Sequence, residues 1–260
     1  MGSTDLPNKV WYLERSHLFG GLPPSDIHPI AKAFRERDYG AGSSIFMAGD
    51  NGDAVYLLKT GFVRLFRVSE EGREVTLAFL GPGDVFGELA LFDEKERLTN
   101  ACAMTAAHVC AAPVSQFMTL MRGNYLLTYR VGREIARRRN EAETRIAGTT
   151  FASARARVAT VLLTLAEQHG MRLPDGAICI CVRVSHLQLA SFAGTARETT
   201  SLELSRMQRE GLIRTEDDGS LSILEVERLK PSVLDRTFRL SSEQQAPMGK
   251  GVIDSTDVSG

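Results

Sequence analysis

The segment Val184–Ile213, VSHLQLASFAGTARETTSLELSRMQREGLI, decides the fold of this chain. It holds two short runs with apolar residues at helical spacing, and Ala193-Gly194-Thr195 separates them. This spacing predicts two helices that cross at a tight turn. Gly194 supplies the positive φ that such a turn needs, and Thr195 is predicted as the N-cap of the second helix. A generic corner between two amphipathic helices shows the same pattern, so the flanking sequence must decide whether the pair is a helix-turn-helix.

The residues after the second helix favour the helix-turn-helix. Leu212–Arg214 and Leu221–Ile223 read as two short strands, and the acidic, glycine-containing stretch Glu216–Ser220 joins them as a turn. A helix-turn-helix closed by such a hairpin is a winged helix, which is a more specific arrangement than either part alone.

The first turn of the second helix carries the side chains that would read DNA. Arginine pairs with guanine O6 and N7 in the major groove, and glutamate accepts from cytosine N4. We therefore predict that Arg197 and Glu198 contact bases of double-stranded DNA. Hydroxyl side chains around them are predicted to position the phosphates: Ser185, Thr195, Thr199 and Ser201.

Length and composition allow two ordinary domains, since the chain has 260 residues and is 43% hydrophobic. No apolar run is long enough for a membrane helix, and the N-terminus lacks a signal pattern, so we predict a cytoplasmic protein without a membrane partner. Four cysteines without paired CxxC spacing predict neither a disulfide framework nor a metal site. The net charge of −1 means that DNA binding must depend on a local face and be sensitive to salt.

The N-terminal half alternates short apolar runs with glycine-rich turns. Residues 9–18 and 25–37 are predicted as short helices, and from Arg37 the pattern becomes one of seven or eight strands. Such spacing predicts an antiparallel barrel or jelly roll, whose closed sheet can hold a ligand. The strands are predicted at Ser44–Met47, Ala54–Leu58, Phe62–Phe66, Val75–Leu80, Asp84–Phe86 and Ala101–Met104.

A single helical period without proline runs from Ser115 to Thr149 and predicts a helix of about 50 Å. Its weak heptad-like seam favours dimerisation, while a single-chain connector with a solvated face is the alternative. Gly148 and the N-cap candidate Ser153 predict a hinge after it. The seam is Thr128, Gly132, Ile135, Arg139, Ala142, Ile146 and Thr149.

The predicted fold is therefore α+β: a jelly-roll-like antiparallel β-roll, a long dimerisation helix and a C-terminal winged helix-turn-helix. The predicted segments are N-terminal helices at 1–36, an effector-binding roll at 37–114, the dimerisation helix and hinge at 115–149, the DNA-binding domain at 150–240 and a disordered tail at 241–260.

Spaced glycines, a Gly-Glu-Leu turn and the sequence at the start of the second helix together resemble the Crp/Fnr superfamily of bacterial transcription regulators. The resemblance covers about residues 15–235 and implies a homodimer on a palindromic TGT-N10-ACA-like operator, contacts with RNA polymerase and a cyclic-nucleotide-binding roll. Relatives place a further arginine where this chain has Leu202. The residues that carry the resemblance are Gly49-Asp50, Tyr56, Gly61, Val63, Gly72, Gly81, Gly83, Phe86–Leu91 and Ala196–Thr199.

The segment Phe86-Gly87-Glu88-Leu89-Ala90 is similar to the family's phosphate-binding cassette, and Arg97 is the nearby cation. Backbone amides in a glycine turn with one arginine form a cradle for an anion. Two features depart from the cAMP pattern. Arg97 is followed by Leu98 rather than by a small hydroxyl residue, and Ala142 and Glu143 stand where that pattern has a Thr-Ser pair.

Arg97, Arg138 and Glu143 are more similar to the cyanobacterial global nitrogen regulator, which senses 2-oxoglutarate. A dicarboxylate needs two cationic anchors, and Arg97 with Arg138 would supply them. Glu88 opposes this assignment because a carboxylate repels a dianion. Arg138 has an alternative role on a solvated helix face, where Glu134 precedes it by four residues.

Other regulator and enzyme classes fit less well. An iron–sulfur sensor needs an N-terminal cysteine cluster, yet Cys102 is the first cysteine, and a haem site would have only His108 with Cys102 or Cys110. The sequence has no catalytic triad, P-loop or paired-carboxylate site, so we predict that the protein is not an enzyme. No cofactor is required, and the possible effector is 2-oxoglutarate or a cyclic nucleotide. A regulator without an effector, controlled by its abundance, stays open.

Overall fold

The structure is a computed structural model that describes residues 10, 12–14, 16, 18–92 and 95–231. Of the predicted first helix over 9–18, the described residues 10 and 12–14 are helical, while Ser16 and Leu18 lie in a bend and a turn. The predicted tail at 241–260 and the last residues of the predicted DNA-binding domain, 232–240, lie outside the described residues.

The described chain runs from a mixed N-terminal half through a long helix into a second mixed half. The helices are α1 (Pro24–Ala33), α2 (Val114–Gly123), α3 (Tyr125–Phe151), α4 (Ala154–His169), α5 (His186–Ala193), α6 (Arg197–Arg209) and α7 (Val226–Leu229), with a 3-10 turn at Glu88–Leu91. The strands are β1 (Arg35–Tyr39), β2 (Ser44–Phe46), β3 (Ala54–Thr60), β4 (Val63–Val68), β5 (Glu74–Leu80), β6 (Val85–Phe86), β7 (Asn100–Ala103), β8 (Ala107–Pro113), β9 (Gly170–Arg172), β10 (Ile178–Ile180), β11 (Ile213–Thr215) and β12 (Leu221–Ile223).

The N-terminal half is an antiparallel β-roll made of two four-stranded sheets. Their strand orders are β1-β8-β3-β6 and β2-β7-β4-β5. Side chains from both sheets, among them Phe46, Leu58, Val63 and Phe86, form one buried core. The predicted roll is thus confirmed.

The predicted helix over 25–37 is wrong at its C-terminal end. Helix α1 stops at Ala33, Phe34 takes an extended conformation, and Arg35–Tyr39 pair with β8 as strand β1. Strand β8 was not predicted either. Its sequence, AHVCAAP, is rich in alanine and lacks the β-branched alternation that marks a strand.

The predicted long helix is broken once, at Asn124. This residue has φ −139° and ψ 100°, and its side-chain oxygen accepts from the Leu127 amide as the N-cap of α3. The 27 residues of α3 span about 40 Å. Leu127 and Val131 are buried in an apolar core that also contains side chains of α1 and α2, and its aromatic members are Phe19, Phe34 and Phe117.

Helix α3 continues through Gly148 to Phe151, so the chain turns later than predicted. Ser153 is the N-cap of α4, and its Oγ accepts from the Ala156 amide at 3.2 Å, as predicted from its position. The junction between α3 and the second half is therefore only Ala152 and Ser153.

The second half is a winged helix-turn-helix. Helices α4, α5 and α6 pack around a shared apolar core, and β11 and β12 form the predicted antiparallel wing. Gly194 has a φ of +62°, which the tight turn between α5 and α6 requires. The predicted Thr195 N-cap is wrong, because Ala196 occupies the N-cap position and the Thr195 hydroxyl bonds Thr200 Oγ1 at 2.6 Å.

The winged helix is attached to the roll through α5 and β5. The Thr76 amide donates to Ser191 Oγ at 2.7 Å, and the same hydroxyl donates to the Glu74 carbonyl at 2.9 Å. The Phe192 ring meets the Phe79 ring edge-on with centroids 5.1 Å apart. In the described part of the chain, no helix combines the length and apolar composition that crossing a bilayer requires.

Candidate functional site

The N-terminal end of α6 presents the two predicted base readers to solvent. Arg197 and Glu198 are exposed in the first turn. Because the N-cap Ala196 has no side-chain acceptor, the first amides of α6 receive no side-chain cap. Free amides at a helix N-terminus favour an anion such as a DNA phosphate.

The buried face of α6 fixes the direction of this tip. Thr200, Leu204 and Met207 are buried at helical spacing against the winged-helix core. Glu203 is buried as well, and its carboxylate accepts from Arg206 at 2.7 Å. The helix therefore cannot rotate without exposing apolar surface.

The four predicted phosphate contacts lie at the same end of the motif but differ in their availability. Ser185 is exposed, and its hydroxyl caps α5 in a capping box with Gln188. Thr195 is bonded inward, and Ser201 Oγ lies 2.8 Å from His186 Nδ1. Thr199 is half-buried beside Glu198.

A cavity of about 270 Å³ lies between the cassette of the roll and the inner face of α3. Its polar lining includes Glu88, Arg97, Thr99 and Arg138, and its apolar lining includes Leu65, Leu77, Ala78, Ile135 and Ala142. The cassette residues Gly87, Leu89 and Ala90 close one side.

The cassette turn depends on glycine. Gly87 has a φ of +72°, in the left-handed region that favours glycine. A Cβ at this position would lie 2.8 Å from Arg97 Nη1. Phe86 does not line the cavity but lies beneath it, stacked on Tyr56 with ring centroids 5.1 Å apart.

Arg97 is buried and supports the cassette from below. Its guanidinium donates to the Gly87 carbonyl at 2.9 Å and to the Ala54 carbonyl, and it lies 4.6 Å from the centroid of the Phe46 ring. Its Nε finds no partner among the described residues. Burial raises the pKa of the neighbouring Tyr56, and the charge of Arg97 opposes that rise.

Arg138 connects α3 to the cassette. Its guanidinium lies 3.4 Å from the Glu88 carboxylate, donates to the Val85 carbonyl, and bonds Glu134 at 2.9 Å. Burial raises the pKa of Glu134, but the bonds and charges of Arg137 and Arg138 outweigh it, so this pKa is lowered. Glu88 is therefore neutralised by Arg138 and not by Arg97.

Glu143 does not line this cavity. Its carboxylate is exposed and accepts from Arg139 at 2.7 Å. This pair, together with Glu134–Arg138 and Arg137–Glu141, forms the set of ion pairs expected for a solvated helix face. Of these arginines, Arg138 and Arg139 also line the cavity, and Arg138 is the one that contacts the cassette.

Arg145 and His186 are among the residues at these sites that were not predicted. Arg145 lines the cavity seven residues after Arg138, and this spacing on one helix face was a usable signal. His186 contacts Ser201 across the helix-turn-helix, a contact that depends on the crossing of α5 and α6 and leaves no local signal.

A lined cavity in a β-roll, a long connecting helix and a winged helix with an exposed Arg-Glu tip define a ligand-binding domain joined to a DNA-binding domain. A family model for the cyclic nucleotide-binding domain matches residues 36–124, and one for the Crp-like helix-turn-helix domain matches residues 156–231.

Named relatives agree with these matches. The cyclic AMP receptor protein of Thermus thermophilus is 38% identical over 78% of this chain and 90% of its own. The CRP-like cAMP-activated global transcriptional regulator of Mycobacterium tuberculosis is 30% identical over 84% of this chain and 96% of its own. A crystal structure of a CRP-family transcriptional regulator from Thermus thermophilus has a TM-score of 0.61 at 31% identity, over 74% of this chain and 94% of that one.

The chain belongs to the Crp/Fnr family of transcription regulators. Its named relatives are regulators, and it is a regulator and not an enzyme.

Proposed function

We propose that this regulator binds a palindromic operator as a homodimer and that a small anion in the roll cavity sets its affinity for DNA. The observation that carries the proposal is the exposed pair Arg197 and Glu198 on the uncapped N-terminus of α6. Arginine and glutamate at such a tip read a G·C pair in the major groove, and free amides beside them bind phosphate. Ser185, Thr195, Thr199 and Ser201 are the proposed phosphate contacts.

The proposed operator has the form TGT-N10-ACA, with half-sites about one DNA turn, or 34 Å, apart. Leu202 is half exposed on the same helix face and offers no hydrogen bond. The base pair opposite Leu202 is therefore read less strictly than those opposite Arg197 and Glu198.

Exposed apolar side chains along α3 support the homodimer. Tyr125 and Tyr129 are 83% and 53% exposed and stack on each other, and Ile146 is 69% exposed further along. We propose a shifted seam, because Ile135, Arg139 and Ala142 of the predicted one line the cavity, and of these three Arg139 alone is exposed and pairs with the exposed Glu143. We place the seam at Tyr125, Tyr129, Gly132, Ala136, Arg139, Glu143 and Ile146, which keeps the heptad spacing.

The proposed effector is a cyclic nucleotide. Arg97 and the cassette amides would face its phosphate, Glu88 would accept from a ribose hydroxyl, and the apolar wall of Leu65, Leu77 and Ile135 would cover its base. The names of two relatives, which refer to cAMP, support this chemistry.

For 2-oxoglutarate the cavity is less suitable, because the Glu88 carboxylate lines it and lies 3.4 Å from Arg138, one of the two cationic anchors. Glu143 lies on the proposed seam, so it would reach an effector only from across the dimer. The contact with RNA polymerase is proposed from the family alone.

An effector-independent regulator is the second candidate. The pairing of Arg138 with Glu88 and of Arg97 with backbone carbonyls supports it, because both cations already have partners.

Calorimetry with cAMP, cyclic di-GMP and 2-oxoglutarate, followed by gel shifts on a TGT-N10-ACA duplex, separates the candidates. We expect cAMP to give a heat of binding and to tighten the complex of the protein with the duplex. Operator affinity that none of the three ligands changes would establish the effector-independent regulator, and the absence of specific binding to the duplex would refute the DNA assignment.

A further inference from the structure

Arg145 lies between two cavities of the described structure. One is the effector cavity of about 270 Å³, and the other is a larger cavity of about 600 Å³ between β5, the end of α3, α4 and α5. Leu77, Ala142 and Arg145 line both cavities. Arg145 thus stands at the boundary between the roll and the winged helix.

The guanidinium of Arg145 contacts both domains. It donates to the Leu77 carbonyl of β5 at 2.7 Å, and its central carbon lies 4.4 Å from the centroid of the Phe192 ring of α5. Phe192 packs in turn on Phe79, and Ser191 bridges two backbone groups of β5. The attachment of α5 to the roll is therefore centred on this arginine.

Arg145 differs from Arg138, on the same inner helix face, in how close the neighbouring carboxylates lie. Among the described residues no ion pair within 4.0 Å involves it, whereas Arg138 bonds both Glu88 and Glu134. Burial lowers the pKa of Arg145, and the more distant charge of Glu141 opposes that effect only in part. A half-buried cation in this setting is stabilised by any anion that enters the adjacent cavity.

The position of Phe192 links a movement of Arg145 to the DNA-reading helix. Helix α5 is joined to the recognition helix α6 by the single tight turn at Gly194. A displacement of α5 from β5 therefore moves the Arg197–Glu198 tip with it, while Ala152 and Ser153 are the only residues between α3 and α4.

We propose that Arg145 couples the effector cavity to the helix-turn-helix, a role that presupposes the proposed effector binding. An anionic effector attracts the guanidinium toward the cavity and away from Phe192. The contact between α5 and β5 then weakens, and the winged helix is released to adopt the spacing of the two half-sites. Without effector, the cation on the Phe192 ring holds α5 on the roll.

Hydrogen exchange in the ligand-free full chain tests whether Arg145 holds α5 on β5 when no effector is bound. The Thr76 amide reports on it directly, because this amide donates to Ser191 Oγ. Arg145→Met keeps an unbranched apolar side chain but removes the cation, so exchange of this amide is expected to be about tenfold faster. Arg133→Met, an exposed position on the same helix, is the matched control and should leave the exchange unchanged. Unchanged exchange in Arg145→Met would overturn the proposal.

Operator binding with and without cAMP tests the coupling. In the wild-type protein cAMP is expected to tighten binding to the TGT-N10-ACA duplex by about 10- to 100-fold. Arg145→Met should bind this duplex tightly without cAMP and gain less than about twofold on its addition. Its calorimetric Kd for cAMP should stay within about fivefold, because the lost attraction to the anion is offset by the contact that no longer has to break.

Two results would refute the coupling alone: a full response to cAMP in Arg145→Met, or a loss of cAMP binding that makes Arg145 an ordinary ligand contact. Arg145→Lys keeps the charge without the planar group, so a partial response is expected from it. If the wild-type protein gives no heat of binding with cAMP, the proposed effector is wrong. This result is obtained before any variant is measured, so it is separate from the two results that refute the coupling.

Discussion

Arg197→Ala is expected to remove operator specificity without affecting the fold. The side chain is exposed at the N-terminus of α6, and no hydrogen bond or ion pair of it occurs among the described residues. Its removal should therefore change the free energy of unfolding by no more than about 0.5 kcal/mol.

The loss of specific binding follows from the number of contacts. One bidentate arginine–guanine pair contributes about 1–3 kcal/mol, and a homodimer on a palindrome uses two such pairs. Well-separated contacts add, so about 2–6 kcal/mol is lost. This corresponds to a Kd that is about 30-fold to more than 10,000-fold higher. On random DNA only one cation per protomer is lost, and the Kd should rise by less than about tenfold.

Fluorescence anisotropy on TGT-N10-ACA and scrambled duplexes at one fixed salt concentration measures both values. Arg209→Ala is the matched control, because Arg209 lies at the other end of α6 and donates to the Ser205 carbonyl at 3.3 Å. The affinity of this control variant should fall by a similar, small factor on both duplexes. If Arg197→Ala loses the same factor of affinity on both duplexes, or keeps the wild-type ratio of the two Kd values, Arg197 is not a base reader.

Two substitutions and one pH titration test the fold and the site further. Gly87→Ala should lower the free energy of unfolding by about 2 kcal/mol in chemical denaturation, because φ is +72° there and the new Cβ would meet Arg97. Asn124→Ala should cost about 1 kcal/mol in the same assay, because α3 loses its N-cap. The pKa of Asp218 is lowered to about 2, chiefly by hydrogen bonds from Ser220, with a further bond from Arg183. Its contribution to stability is therefore complete above the ordinary pKa of about 4 and is lost as the pH falls through about 2. An NMR titration of the carboxyl with a midpoint near 4 would contradict this.

The parts of the fold that were predicted correctly depend on local sequence. Gly194 needs a positive φ because of the turn in which it lies, and Ser153 caps α4 through its own hydroxyl. The wing follows in the same way from the acidic glycine turn between β11 and β12. Neighbouring residues are enough to determine such features.

The parts that were missed depend on distant partners or on a competing local signal. Strand β8 pairs with β1 and β3 on either side, and burial rather than β propensity makes its alanine-rich sequence a strand. The break at Asn124 did have a local signal, since Gly123-Asn124 combines a helix stop with an N-cap, but the apolar periodicity on both sides concealed it.

The candidate site shows the same division. The glycine turn at Gly87 and the helix start at Arg197 were predicted because each is one short motif, and their roles in binding stay predictions. The partner of Glu88 was not found, because Arg138 is 50 residues away in sequence. Arg145 lies seven residues after Arg138 on the same helix face, and this local signal was overlooked, whereas its contact with Phe192 of another domain leaves no local signal.

Helix α3 explains how the proposed effector, the dimer and the DNA can influence one another. Arg138 and Arg145, two turns apart on its inner face, reach the cassette and α5, while Tyr129 and Ile146 on its outer face form the proposed seam. A helix that moves as one body cannot respond on one face without moving the other. An effector that disturbs the Glu88–Arg138 pair therefore changes the seam and the attachment of α5 together. The near-neutral net charge of −1 suits this arrangement. Because a net charge of −1 gives little long-range attraction to DNA phosphates, we expect the spacing of the two recognition helices in the proposed dimer to contribute strongly to operator affinity.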